Sequence, residues 1–574
     1  MIRLLLLLFN AILFYNASAQ LQSRFEKSNG LETATYFEAI DWYQQLAKIS
    51  HKIIVKEMGS TDADYPLHLV LVSNNGKFNP DKWHAQQKVV ILINNGIHPG
   101  EPDGIDASML LVRDIAAGKF ILPDNVVLAI IPVYNIGGSL NRTAFSRVNQ
   151  NGPLQYGFRG NAQNLDLNRD FTKCDSREAR SFATIFHLLD PDILVDTHVS
   201  DGADYQHTIT LLTTQYDKLG PVLGNWLKHQ FEPQLYKIMA TKGWAMTPYV
   251  NFETASPDNG MEMFYDPPRY SSGYAALFQT IAFMPETHML KPFKDRVEAT
   301  FTLLKTMVIT AGENATELIT QRNRAKAAVK AQAKFPLSFT VDSSKYTLIP
   351  FMGYEQAFTT SAATGFKTRY YDHQQPFTKN VKLFDVFTAG NIVTKPTAYL
   401  IPQGWHAVIE LLRLNGVQMS TLKKDTAIMV EDYHIDNYLS YPKAYEKHHK
   451  NYQVATTTST QFIHFLKGDV YIPLNQRANR YLIEMLEPTG EDSFFSWNFF
   501  DAILQQKEGY SDYRWESVAA TVLKNNPVLQ QQLLNKKADT AFAASASRQL
   551  DFIYKHSPYY EPAHLRYPVF RIIS

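Results

Sequence analysis

The chain has 574 residues, 45% of them hydrophobic, which is enough to bury a large core in two or three domains. Its formal net charge is +1, with acidic and basic residues mixed along the whole length. No basic tract indicates a nucleic-acid partner and no acidic tail indicates a disordered interaction arm, so we expect no nucleic acid among its partners. The 13% aromatic content argues against disorder.

The N-terminus has the composition of a secretory signal peptide. Arg3 precedes an apolar run from Leu4 to Phe14, and the small residues Ala17-Ser18-Ala19 fit a cleavage site before Gln20. The run is shorter than the roughly 20 apolar residues that a membrane-spanning helix needs. We therefore predict a signal peptide at residues 1–19, no membrane span, and an exported protein of the periplasm or the cell exterior.

Strand-like and helix-like runs alternate as far as about residue 312. The predicted strands are Lys52–Lys56, His68–Val72, Lys88–Asn95, Val126–Val133, Asp192–His198, Thr208–Thr213 and Thr280–Glu286. The predicted helices are Phe37–Ile49, Pro102–Ala117, Arg177–Leu189, Leu219–Met239 and Lys291–Ala311. Asp175 and Glu178 have the spacing of a capping box before the third helix. This alternation predicts an α/β fold with a mixed, mostly parallel central sheet and helices on both faces.

One turn follows the predicted strand Lys88–Asn95 and carries His98 and Glu101. Open α/β sheets bind ligands at the carboxyl ends of their strands, where this turn lies. An imidazole and a carboxylate three residues apart can both reach one zinc ion. The pair alone is weak evidence, because His229 and Glu232 have the same spacing inside a predicted helix. In isolation, the pair fits a structural role as well as a metal site.

Three further elements make the pair more specific. His198 ends a predicted strand, and a parallel arrangement would bring it to the sheet edge that holds His98. Asn168 and Arg169 close a long polar connection, and structureless loops of that length are usually functional. Glu286 ends an apolar strand, where a carboxylate is costly unless it has a partner or a task.

In this order the motifs resemble the M14 family of zinc carboxypeptidases, over roughly residues 30–312. The resemblance implies that His98, Glu101 and His198 bind one Zn²⁺ per chain. It also implies that Glu286 is the base that activates a zinc-bound water. Asp166 would orient a ligand histidine by accepting its hydrogen bond.

The same resemblance implies how a peptide substrate is held. Asn168 and Arg169 would bind its terminal carboxylate, and Arg147 would polarise the scissile carbonyl, with Arg142 as the competing candidate. Tyr270 is the preferred substrate-capping tyrosine, and the alternatives are Tyr265 and Tyr274. Many digestive members have an arginine where this chain has Pro99-Gly100, so one substrate contact is expected to be missing.

The specificity pocket is expected within Tyr265–Leu277. This stretch offers the small polar residues Ser271, Ser272 and Gly273, and no charged selector stands out. The preferred C-terminal side chain is therefore left open, as is the choice between dietary and peptidoglycan peptides.

The second half of the chain has a different character. Residues 20–320 are predicted to form the catalytic domain, 321–334 a linker helix, and 335–574 a mixed α/β accessory domain of unassigned role. Tyr399–Pro402 followed by His406–Leu414 predicts a strand and a helix, and much of the tail looks helical. The region is similar to the accessory part of large exported bacterial members of the family.

These observations predict an exported zinc metallocarboxypeptidase that hydrolyses C-terminal peptide bonds of peptides or proteins with a free C-terminal carboxylate. Two alternatives stay open. One is a zinc-dependent deacylase of N-acyl amino acids, similar to the succinylglutamate desuccinylase and aspartoacylase group. The other is a binding protein that has lost activity.

Overall fold

The computed structural model describes residues 21–250 and 257–573, so the predicted signal peptide lies outside the described residues. A nine-stranded sheet organises the N-terminal domain. Its strands are β1 (Ile53–Ser60), β2 (Pro66–Ser73), β3 (Val89–Asn94), β4 (Val126–Ile131), β5 (Ile193–Asp196), β6 (His198–Ser200), β7 (Ile209–Thr213), β8 (Thr247–Pro248) and β10 (Ile281–His288), and β9 (Met261–Glu262) lies outside it.

The strand order is β1-β2-β4-β3-β5-β10-β7-β8, and β6 continues beside β10. The central neighbours β4, β3, β5 and β10 are parallel, whereas β1/β2, β2/β4 and β7/β10 are antiparallel. The predicted mixed, mostly parallel sheet is confirmed. Because the central strands run in one direction, their carboxyl ends meet at one edge.

Helices cover both faces of this sheet, since every residue of β3, β4 and β5 is buried. They are α1 (Arg24–Lys27), α2 (Tyr36–Ile49), α3 (Pro80–Trp83), α4 (Asp103–Ala116), α5 (Ile136–Leu140), α6 (Arg177–Leu189), α7 (Gly220–Trp226), α8 (Glu232–Thr241), α9 (Ser271–Leu277), α10 (Phe293–Glu313) and α11 (Ala315–Ala331). Short 3₁₀ turns occur at His84–Gln86, Leu167–Arg169 and Pro257–Asn259.

Two local predictions were wrong in detail. Helix α6 is capped by Ser176, whose side chain accepts from the backbone of Ala179, and not by the predicted Asp175 box. Asp175 instead pairs with Lys173 and His448, so longer-range charges outweigh the local capping pattern. The predicted helix Leu219–Met239 is interrupted by a π-helical turn at Leu227–Phe231, which separates α7 from α8.

The predicted linker at residues 321–334 is not a separate helix. Helix α11 begins earlier, at Ala315, and ends at Ala331, and β11 already starts at Lys334. Arg322 on α11 is buried and donates to Asp192 of the N-terminal domain at 2.9 Å. The segment is therefore packed into the fold instead of spanning a gap.

The accessory domain contains more β structure than the sequence predicted. Its strands are β11 (Lys334–Val341), β12 (Thr347–Thr360), β13 (Lys367–Phe384), β14 (Phe387–Thr394), β15 (Ala398–Ile401), β16 (Ser420–Thr421), β17 (Thr426–Ser440), β18 (Asn451–Phe465), β19 (Val470–Pro473) and β20 (Phe570–Ile572). Six of them form a sheet in the order β16-β19-β15-β20-β17-β18. The ribbons β12/β13 and β17/β18 are long antiparallel pairs.

The accessory helices are α12 (His406–Leu414), α13 (Asn479–Leu486), α14 (Asp512–Asn525), α15 (Pro527–Lys536), α16 (Thr540–Ala543) and α17 (Ala546–Lys555), with a 3₁₀ turn at Asp501–Leu504. Within the described ranges, no helix has the length and apolar content needed to cross a membrane.

One hydrophobic core is shared by the two domains. On the sheet face covered by α6 and α9, Phe278 stacks on Tyr481 of the accessory domain with ring centroids 5.3 Å apart. Tyr399 and Tyr567 belong to the same cluster and are fully buried. The accessory domain thus packs, together with α6 and α9, on one face of the sheet. The site forms at the sheet edge where the carboxyl ends of the central strands meet.

Candidate active site

The predicted site residues meet at the carboxyl edge of the sheet. His98 and Glu101 lie on the turn after β3, and His198 begins β6. Glu286 on β10 is the direct register partner of His198 in the parallel pair β6/β10. Neighbouring residues of paired strands point to the same face, so Glu286 lies beside the histidine.

We call His98, Glu101 and His198 the metal end of the site. The Nδ1 atom of His98 lies 3.2 Å from Oε1 of Glu101, and Nδ1 of His198 lies 3.1 Å from Oε2. All three side chains are buried, and one donor atom from each lies within 4.8 Å of the others. Two imidazole nitrogens and a carboxylate are a donor set that zinc prefers.

Carboxylates behind the two histidines fit a metal on their Nδ1 side. Nε2 of His98 is 2.9 Å from Oδ1 of Asp166, and Nε2 of His198 is 3.2 Å from Oδ2 of Asp196. A carboxylate at Nε2 keeps the proton on that nitrogen and leaves the Nδ1 lone pair free to bind a metal. The residues present therefore fit a zinc ion.

A cavity of about 550 Å³ opens above the metal end. Glu286 lines it, is 8% exposed, and receives no hydrogen bond to its carboxylate from the described residues. Burial raises the pKa of Glu286 to about 8, against the opposing charge of His198. A buried, unpaired carboxylate facing a cavity is suited to proton transfer.

Asn168, Arg169 and Tyr270 form what we call the carboxylate end of the same cavity. The Arg169 guanidinium lies over the Tyr270 ring at 4.1 Å, and the Asn168 side-chain oxygen accepts from the backbone of Ser271 at 3.1 Å. The side chain of Asp166 accepts from the Asn168 backbone at 2.9 Å. Asp166 therefore connects the carboxylate end to the metal end.

The structure separates the two arginine candidates. Arg147 lines the cavity and donates to Glu101 at 2.9 Å and to Gln150 at 2.6 Å. Arg142 instead donates to backbone carbonyls, including that of Gln155 at 2.9 Å. Only Arg147 of the two is placed to contact a substrate, and its role stays a prediction.

A third arginine, Arg159, was missed by the sequence analysis. It donates two hydrogen bonds to Asp166, at 3.0 and 2.7 Å, and its guanidinium lies 3.8 Å from Glu101. The side chain is 45% exposed and lines the cavity. It brings a positive charge close to the turn where Pro99-Gly100 replaces the arginine of digestive members. In the sequence, the only signal that could have identified Arg159 was its position inside the long polar loop.

A charged residue, Asp266, was also missed in the predicted specificity stretch. It lines the cavity, is 3% exposed, and neither carboxylate oxygen accepts a hydrogen bond from the described residues. Burial raises the pKa of Asp266 to about 7, against the charge of Lys218. Asp266 is thus a charged residue of this stretch that lines the cavity, whereas no charged selector stood out in the sequence.

The small polar residues of that stretch do not form the pocket wall. Ser271, Ser272 and Gly273 are buried in α9, whereas the cavity is lined by Phe264, Asp266 and Tyr270 from this part of the chain. The rest of the lining comes from other elements, including Leu212, Tyr249 and Met284.

Comparison with known proteins identifies the fold that carries this site. Residues 39–186 match the family model described as zinc carboxypeptidase, peptidase M14. This range includes His98, Glu101, Arg147, Asp166, Asn168 and Arg169. The matched segment is an M14 zinc carboxypeptidase domain. The protein is a metallopeptidase, and metallocarboxypeptidase function is supported by the family and by its relatives.

The relatives are distant but similar over most of the chain. Carboxypeptidase 2 of Trichophyton rubrum is 21% identical over 82% of this chain and 85% of its own length. Carboxypeptidase 2 of Trichophyton tonsurans is 22% identical over 72% of this chain and 74% of its own. Among solved structures, a metallo-carboxypeptidase from Burkholderia cenocepacia is 15% identical, covering 48% of this chain and 69% of its own, with a TM-score of 0.35.

Proposed function

We propose that the protein is an exported, zinc-dependent metallocarboxypeptidase that removes the C-terminal residue of peptides or proteins. The observation that carries the proposal is one cavity that contains the zinc donor set and an arginine–amide pair at its other end. Beside the donor set lies Glu286, whose carboxylate accepts no hydrogen bond from the described part of the chain. The proposed export rests on the sequence of residues 1–19.

His98, Glu101 and His198 would hold the zinc ion. When bound, Zn²⁺ supplies a Lewis acid that lowers the pKa of water towards neutrality and polarises a carbonyl. Asp166 orients His98 through the hydrogen bond at Nε2, and the carboxylate of Asp196 lies 3.2 Å from Nε2 of His198. Arg147 adds a permanent positive charge beside Glu101.

Glu286 is the proposed general base and acid. Its carboxylate accepts the proton of the attacking water and returns it to the amine of the leaving residue. Its position beside His198 brings it close to the metal end, and burial excludes bulk water from competing for the proton. Arg147 is placed to stabilise negative charge on the carbonyl oxygen of the scissile bond.

Arg169 and Asn168 would bind the free carboxylate of the substrate. A planar guanidinium can donate two parallel hydrogen bonds to a carboxylate, which makes the chain end a requirement for binding. Tyr270 holds the Arg169 plane through the stacking contact at 4.1 Å.

We further infer that the side pocket, the part of the cavity lined by Asp266, prefers a basic C-terminal residue. A carboxylate that is buried without a partner is costly, and a lysine or arginine side chain of the substrate would supply the missing donors to Asp266. Lys218 does not fill this role, because its ammonium group donates to the backbone oxygen of Asp266.

The deacylase alternative is less well supported. The matched family model and the relatives are carboxypeptidases. The similarity to the Trichophyton rubrum relative covers 82% of this chain and so extends into the accessory domain. No observation favours an inactive binding protein, since the donor set and Glu286 are all present.

The test is product analysis combined with metal analysis. Purified protein should contain one Zn²⁺ per chain, and His98→Ala should release it. Peptide pairs that differ only in a free or amidated C-terminus should lose one residue when the end is free and stay intact when it is amidated. Equal cleavage of both forms, or cleavage of N-acyl amino acids alone, would overturn the proposal.

A further inference from the structure

The loop between β17 and β18 reaches from the accessory domain to the active site. Glu446, at the tip of this loop, accepts a hydrogen bond from the backbone nitrogen of Asp166 at 2.9 Å, although the two residues are 280 positions apart. Asp166 is the residue whose carboxylate contacts His98 and caps the turn that holds Asn168. The accessory domain therefore contacts the segment that connects both ends of the site.

The tip has an unusual backbone conformation. Tyr445 and His448 exchange two backbone hydrogen bonds, of 2.8 and 3.1 Å, across a two-residue turn. Its central residues, Glu446 and Lys447, have φ of +47° and +75°. Turns of this type usually contain asparagine, aspartate or glycine, because other residues are strained at positive φ. Strained residues of this kind concentrate at functional sites.

The base of the tip is packed against both domains. The Tyr445 ring stacks on Trp497, which is fully buried, with centroids 6.1 Å apart. His448 packs against the same ring and its Nε2 lies 2.8 Å from Asp175 of the N-terminal domain. Glu446 is thus presented to Asp166 from a fixed support.

A second contact supports the opposite wall of the carboxylate end. Asp492 of the accessory domain is 1% exposed and accepts from the Arg269 side chain at 2.7 Å and from its backbone at 2.9 Å. Arg269 directly precedes Tyr270, whose ring lies under Arg169. The next residue, Ser271, donates to the side chain of Asn168.

From these contacts we propose that the accessory domain positions the carboxylate end of the active site, with Glu446 as the positioning residue that fixes the Asp166–Arg169 turn. The apolar core shared by the two domains already joins them, so attachment does not require a strained, charged tip. The inference rests on the proposed function, because it assigns Glu446 an effect on binding of the substrate carboxylate.

The test compares Glu446→Ala, which removes the acceptor, with Glu446→Gln, which keeps a carbonyl oxygen. Lys443→Ala, at an exposed position of the same loop, is the matched control. Each zinc-loaded variant is assayed for kcat and KM with a free-ended peptide, for the calorimetric Kd of the released amino acid, for zinc content and for Tm.

Glu446→Ala should raise KM and the product Kd by about 10- to 150-fold, the size expected for losing a hydrogen bond to a charged acceptor. Zinc content and Tm should stay near wild type, and Glu446→Gln should restore most of the affinity. Unchanged KM and Kd in Glu446→Ala, or an equal rise in Lys443→Ala, would overturn the inference. Equal cleavage of amidated and free peptides by the wild type would overturn the proposed function instead. In that case, the product Kd of Glu446→Ala compared with that of wild type still decides the role of Glu446.

Discussion

The two ends of the active site are built in different ways. The metal end lies on and beside the strands β3, β6 and β10, whose backbones are fixed by the hydrogen bonds of the sheet. The carboxylate end lies on two loop segments, around Asn168–Arg169 and Arg269–Tyr270. These segments have no strand partners and are fixed by side chains, several of them from the accessory domain.

The residues proposed for catalysis and those proposed for substrate recognition are therefore supported in different ways. His198 and the proposed base Glu286 lie on sheet strands, whose hydrogen bonds limit small displacements, and His98 and Glu101 lie on the turn directly after β3. The residues that choose a substrate lie on loops, which can change sequence without disturbing the sheet. Substitutions at the metal end and at the carboxylate end should therefore change the kinetics in different ways.

The largest effect is expected from Glu286→Gln, beside the metal end. Glutamine keeps the shape of the side chain but cannot accept a proton, so kcat should fall by about 10²- to 10⁴-fold. Zinc content and Tm should stay close to wild type, because Glu286 is not one of the three donors. Single-turnover rates and metal analysis of the same preparation check this, and near-normal turnover of a zinc-loaded variant would contradict the base assignment.

Next in size is Arg169→Ala at the carboxylate end. Removing one member of a buried charged pair typically costs about 2–5 kcal/mol, so kcat/KM for free-ended peptides should fall by orders of magnitude. Arg169→Lys is the control, because it keeps the charge but loses the paired hydrogen bonds, and it should recover only part of the activity. A variant that loses zinc, or one that still rejects amidated peptides as strongly as wild type, would argue against the assignment.

Local sequence patterns were sufficient for the sheet, and the resemblance to the M14 family supplied the roles at the metal end. Short β-branched runs predicted β3, β5 and β10 within a few residues, because strands buried on both faces need continuous apolar sequence. His98, Glu101, His198 and Glu286 could be located because each follows or ends such a run. Their convergence in one cavity follows from the parallel order of the strands.

The remaining features depend on contacts between distant residues. Most residues of the ribbon β17/β18 are exposed or half-buried, and polar residues interrupt the apolar ones, so the ribbon lacks the continuous apolar run of a strand buried on both faces. Asp266 differs from a surface aspartate in being buried with no hydrogen-bond partner among residues 21–250 and 257–573, which no spacing reveals. Glu446 acts on a residue 280 positions away, so only the fold brings the two together.

A smaller effect is expected from Asp266→Asn, which tests the side pocket. The preference for C-terminal lysine or arginine over leucine, measured as a ratio of kcat/KM values, should fall by about 10- to 100-fold. Because burial raises the pKa of Asp266 to about 7, the wild-type ratio should rise between pH 6 and 8, as the carboxylate ionises. The ratio for the variant should be flat over this range, and a flat wild-type ratio would exclude Asp266 as the selector.

The smallest effect concerns stability at the contact between the domains. Burial opposes ionisation of Asp175, but the hydrogen bond from His448 and the charge of Lys173 lower its pKa from 3.8 to about 2. A carboxyl group with a lowered pKa in the folded state stabilises the fold above its unfolded pKa, and this contribution is lost as pH falls through the folded value.

Asp175→Asn should therefore lower the free energy of unfolding by about 2 kcal/mol at pH 5, and the difference from wild type should shrink as the pH falls from 4 to 2. Denaturant unfolding at several pH values measures it. His448→Gln should remove part of the same pH dependence while leaving the metal end intact. A difference between Asp175→Asn and wild type that stays constant from pH 5 to 2 would show that the ion pair does not stabilise the contact between the domains.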